Sequence, residues 1–67
     1  MSLEAKFGNL TVEQVLAQQG GRVREQISRS VYGNTMREIE ELANQGDSDA
    51  RTAKKILGRL EDYKNKY

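Results

Sequence analysis

The chain has no cysteine, histidine, proline or tryptophan, and one phenylalanine among its 67 residues. Without Cys there is neither a disulfide framework nor a thiolate metal site, and without His the commonest catalytic base and metal ligand is missing. Long apolar runs are lacking too. The longest, Val15-Leu16-Ala17, falls far below the roughly 20 residues of a membrane-spanning helix. Nor is one sign of charge in excess: 11 Lys and Arg face 10 Asp and Glu, a net charge of +1, unlike the strongly basic balance of a dedicated nucleic-acid binder.

What is present is thin but patterned. Of 24 apolar residues five are alanines, leaving 19 sizeable side chains for a core. A domain of this length buries only about 60% of the surface its unfolded chain exposes. With disulfides and thiolate or imidazole metal sites excluded, self-association is the remaining device for stabilising it, so a homo-oligomer is expected. Met1-Ser2-Leu3-Glu4 carries no signal-peptide pattern, and Ser2 stands where N-myristoylation needs Gly, so the chain reads as cytoplasmic. Asn9-Leu10-Thr11 formally matches a glycosylation sequon but reads as a helix cap.

Glycine supplies the punctuation. Gly8, Gly20, Gly21, Gly33 and Gly46 fall between apolar-periodic segments, where helix ends calling for a left-handed residue belong. Thr11 and Gln14 have the N-cap and N3 spacing of a capping box, with Leu10 and Val15 as its hydrophobic staple. Thr35 and Glu38 form a second box, after which Met36, Ile39, Leu42 and Ala43 trace one helix face up to Gly46. Val23, Ile27 and Val31 recur every four residues between the glycine stops, which predicts a helical stretch there.

The last helix has Asp47, Ser48 and Asp49 as cap candidates and Lys64 and Lys66 at its far end, complementing the helix dipole at both termini. Its apolar stripe runs through Ala50, Ala53, Leu57, Leu60 and Tyr67, widened by Ile56 and Tyr63. Gly58 interrupts that helix at a cost of roughly 1 kcal/mol relative to Ala, either allowing close helix approach or being simply tolerated. Leu3, Phe7 and Leu10 share a spacing that makes residues 1–9 a short helix or a flexible or docking arm, and Phe7 is expected to be buried. No run alternates β-branched and polar residues as a strand would. The expectation is one all-α domain over residues 1–67, a small bundle of three to four short helices, with its core at Ile39, Leu42, Ile56, Leu57, Leu60 and Tyr63.

Catalysis is hard to assemble from these residues. The carboxylates fall on polar faces, and Ser and Thr hydroxyls lack a base to activate them. Asp47-Ser48-Asp49 is too short for a calcium loop, and Gly20-Gly21 has neither the preceding strand nor the Lys-Ser/Thr ending of a phosphate loop. Helix-turn-helix registers on Gly46 or Gly20 place polar residues or Gly where apolar ones are needed. No enzyme activity, metal or cofactor is expected.

The basic residues are more informative. Arg51, Lys55 and Arg59 repeat every four residues with Lys54 beside them, opposite the apolar stripe of the last helix. Like charges at that spacing repel by a few tenths of a kcal/mol per pair. They read as solvated surface, as partners of acids such as Glu38, Glu40 and Glu41 within the fold or across an oligomer, or as a site for phosphate or an acidic protein. A second patch, Arg22, Arg24, Arg29, Tyr32 and Thr35, with Ser28, Ser30 and Asn34 close by, mixes guanidinium groups, hydroxyls and a ring, a set able to grip a phosphate or stack a base. The functional expectation is a small non-enzymatic module, of the size class of bacterial and phage proteins, that binds and regulates or inhibits a partner protein. The alternative is a phosphate-binding module for nucleic acid or a nucleotide.

Overall fold

A computed structural model describes residues 2–19 and 23–60. It contains four α-helices, α1 (Leu3–Phe7), α2 (Val12–Gln19), α3 (Met36–Asn44) and α4 (Ser48–Arg59), and two short 3₁₀ turns, Val23–Gln26 and Arg29–Val31. The fold is all-α; among the described residues there is no strand, and the extended pairing is confined to an isolated bridge between Thr11 and Thr35. No helix among them is long and apolar enough to cross a membrane.

Local hydrogen bonding sets the helix starts. At α2, Gln14 N–H donates to Thr11 Oγ1 (3.2 Å) and Thr11 N–H donates to Gln14 Oε1 (2.9 Å). At α3, Thr35 and Glu38 repeat the same reciprocal pair. The two caps also clamp each other: Val12 N–H donates to Asn34 C=O (2.9 Å) and Met36 N–H to Leu10 C=O (3.2 Å). Glu13 N–H adds a bond to Tyr32 C=O (3.1 Å). The first three amides of α2, which an isolated helix leaves without protein partners, are therefore all bonded by a neighbouring loop or by the cap itself.

α4 starts on Asp47, whose Oδ1 accepts from Ala50 N–H at 2.9 Å, a carboxylate placed at the positive end of the helix dipole. α3 ends in a Schellman arrangement. Gly46 N–H donates to Ala43 C=O and Asp47 N–H to Leu42 C=O, with Gly46 at φ +95°, a conformation that penalises any residue with a Cβ. Gly8 ends α1 at φ +70°. Gly33 departs from the expectation: it lies in a turn without a left-handed φ, while Gly20 and Gly21 lie outside the described residues.

The segment after α2 differs as well. Instead of one helix, Ile27 and Ser28 separate two 3₁₀ turns, because Ser28 is extended (ψ 138°) and its hydroxyl accepts from Ser30 N–H, a local bond that competes with helix propagation. Ile27 and Val31 still reach the interior, and Val23 is partly buried. Spacing by four thus marked the inward residues without requiring a continuous helix between them.

One apolar cluster joins Leu3 and Phe7 of α1, Val12, Val15 and Leu16 of α2, Ile27 and Val31, Met36, Ile39 and Ala43 of α3, and Ala50, Ala53 and Leu57 of α4. Of the six expected core residues, Ile39 and Leu57 are fully buried and Leu42, Ile56 and Leu60 only partly so. Tyr63, Tyr67, Lys64 and Lys66 lie outside the described residues, in which α4 ends at Arg59. Residues 3–7 form a helix against α3 and α4 whose Leu3 N–H donates to the Glu40 carboxylate, and Phe7 is 1% exposed, so this segment belongs to the core and is no free arm.

Glu38 gives a pH prediction. The Thr35 backbone N–H, then the Asn34 amide, bond its carboxylate and hold its pKa below the usual carboxylate range. A depressed folded-state pKa contributes stability above the unfolded value, about 4.3, and loses it as pH falls towards the folded one. Glu38→Gln keeps the cap, as Gln14 does in α2, and removes this proton linkage. Acid titrations followed by circular dichroism should show a shallower loss of stability below about pH 4.3 for the variant. Superimposable acid transitions would contradict the assignment.

Candidate functional site

Two surface grooves bring the predicted residues together. The first is shallow and open, about 580 Å³, and runs between the C-terminal end of α3 and the outer face of α4. It is lined by Ala43, Asn44, Arg51, Lys54, Lys55, Gly58 and Arg59. All four cations of the first predicted patch are therefore on one surface. The α-helical repeat explains it: positions 51, 55 and 59 drift slowly around the helix, with 54 and 58 on the adjoining flank.

Arg51, Lys55 and Arg59 are exposed and Lys54 is half-buried. No carboxylate lines the groove. Among the described residues none of the four cations is within salt-bridge distance of an acid. The three acids named as partners for them in the sequence are committed elsewhere. Glu38 closes the α3 cap, Glu40 accepts from Leu3 N–H, and Glu41 pairs with Arg37 at 3.3 Å. Lys6 adds another cation close by, its Nζ donating to the Gly58 carbonyl at 3.0 Å.

The second groove, also about 580 Å³, gathers Arg24, Arg29 and Tyr32 but not Thr35, whose hydroxyl is taken by the α3 cap. Arg22 lies outside the described residues. Two carboxylates, Glu13 and Glu25, share this groove with Ile27, so its charge is mixed. Tyr32 Oη donates to Arg24 C=O at 2.9 Å, and the Ser30 hydroxyl donates to Asp49 Oδ2 at 3.2 Å. The hydroxyls that suggested a phosphate grip thus serve internal bonds. The patch as read from the sequence is not one site.

Sequence reasoning missed Ala43 and Asn44 as groove residues. Ala43 gave only the signal of an apolar face, and Asn44 none, because their place beside α4 depends on how α3 turns at Gly46. Gly58 did carry a signal, an energetically unfavourable glycine inside a charged helix face.

Among the described residues no titratable side chain is buried, and no three Asp or Glu come together as metal ligands. The helix N-termini, which often hold anions, are closed: α2 and α3 by their interlocked caps and α4 by Asp47. No protein family, curated protein or solved structure matches the chain in searches of all three.

Proposed function

We propose that this protein is a non-enzymatic helical interaction module that uses the α3–α4 groove to bind and regulate or inhibit a partner protein through an acidic segment of that partner. The observation that carries the reading is the groove itself: four cations, no lining carboxylate, and no ion pair to them among the described residues. Uncompensated like charges on one helix face repel, and an anionic partner relieves that repulsion as it binds.

A phosphate ligand offers the same sign of charge but fits the lining less well. The groove has no aromatic side chain on which a base could stack, and no free helix N-terminus points backbone amides into it. Nucleic acid or a nucleotide is therefore the competing reading.

Thermal melts at low and high salt separate the two. Poly-L-glutamate at a hundredfold excess over its Kd should raise Tm by about 10–20 °C at low salt, from roughly 2.7 kcal/mol of linkage. The rise should vanish in the triple variant Arg51→Glu, Lys55→Glu, Arg59→Glu, whose changes touch only exposed positions. A salt-sensitive rise with duplex DNA or ATP, and none with poly-L-glutamate, would transfer the groove to phosphate binding. Repeating the melts across a hundredfold range of protein concentration tests the homo-oligomer expected from the sequence. An oligomer's Tm rises with concentration, and a constant Tm would contradict that expectation.

A further inference from the structure

Gly58 is the least explained residue of the groove. It sits inside α4, where glycine is unfavourable, has an ordinary helical place and needs no left-handed φ. A Cβ built on it meets no atom within 4 Å beyond its chain neighbours and the backbone of its own helix, so no other described part of the fold excludes a side chain there. Its position on the helix lies between Lys54 on one flank and Arg51 and Lys55 on the other, and all of them line the groove. A glycine in the middle of a cationic face keeps the helix surface low there, its carbonyl bonded by Lys6 Nζ and no side chain standing above it.

We infer that Gly58 is the contact point of the groove, where an acidic segment with short side chains lays its backbone against α4 while its carboxylates reach Arg51, Lys54, Lys55 and Arg59. The inference rests on the proposed binding of an acidic partner and adds what that reading leaves open, the shape of the segment. Short acids fit because a backbone in contact at Gly58 lies close to the cations' stems. Long glutamate side chains would hold the same backbone further out. The small residue Ala43 on the facing lip continues the low floor. Lys6, bonded to the Gly58 carbonyl, comes in from α1 and adds positive charge beside the contact without covering it, since Gly58 is exposed.

Steric fit at Gly58 and charge are separable by peptide titration. The probe is an acetylated Asp-Ala repeat peptide of twelve residues, compared with a Glu-Gln repeat of equal charge, titrated at low salt against wild type, Gly58→Ala and Gly58→Leu. The cations are unchanged in all three proteins. Wild type should prefer the Asp-Ala peptide. Gly58→Leu should weaken its binding about tenfold or more and erase the preference over Glu-Gln. Gly58→Ala should weaken it by a few-fold while raising Tm by roughly 2–8 °C, because Ala favours the helix and meets open space. If Gly58→Leu fails to fold, the Gly58→Ala pair of readouts, more stable but weaker binding, decides alone. Equal Asp-Ala affinity in all folded variants overturns the role of Gly58 and leaves the acidic-partner reading standing. Wild type binding neither peptide while binding duplex DNA or inorganic phosphate overturns both.

Discussion

Leu57→Ala is expected to remove a large share of the fold's stability. Leu57 is fully buried in α4, within the cluster that joins α4 to α3 and α1, and removing a side chain at such a site costs about 2–5 kcal/mol. A 67-residue domain has a total stability of only about 3–10 kcal/mol at 0.05–0.15 kcal/mol per residue. The neighbouring change Leu60→Ala should cost roughly 1 kcal/mol, because Leu60 is only partly buried and part of its surface already faces water. Urea unfolding followed by circular dichroism measures both. A loss under about 0.5 kcal/mol at Leu57, or equal losses at the two sites, would show that the core is placed wrongly. Apolar spacing alone gives the two leucines equal weight; burial separates them.

Phe7→Ala is expected to remove about 3–5 kcal/mol, as large an effect as any single truncation in the chain. Phe7 and Leu3 are the buried residues of α1, a helix of five residues that is far too short to persist by its own hydrogen bonds. Its order depends on that burial, on the Ser2 hydroxyl accepting from Ala5 N–H at 3.0 Å, and on the bond from Leu3 N–H to Glu40. Phe7→Ala should therefore free the Leu3 amide to exchange with solvent faster than the amides of α3, while Phe7→Leu, which keeps most of the volume, should retain much of its protection. Hydrogen exchange reads both. An unchanged Leu3 amide in Phe7→Ala would mean that α1 is held by something other than its aromatic residue.

Much of the fold was legible because the signals were local. Thr11 with Gln14, Thr35 with Glu38, and Asp47 with Ala50 are bonds between residues three apart, so the chain specifies them wherever it folds. The same holds for Gly46, whose left-handed φ closes α3. Residues 23–31 misled for the complementary reason. A spacing of four satisfies a helix, but two 3₁₀ turns broken at Ser28 also bring Ile27 and Val31 inward, and sequence spacing does not distinguish them.

The candidate site divides along the same line. Arg51, Lys55 and Arg59 share a face by helical geometry alone, so the sequence by itself determined that a cationic ridge exists. Only the tertiary structure decided that Ala43 and Asn44 form its facing lip and that Glu40 is engaged by the Leu3 amide, 37 residues away in the chain. It also decided that the two capping boxes interlock through Thr11 and Thr35, which are far apart in the chain. The physical reason is range. Caps and helix faces depend on residues within one turn of each other, whereas which charge remains uncompensated depends on which surfaces the apolar core draws together.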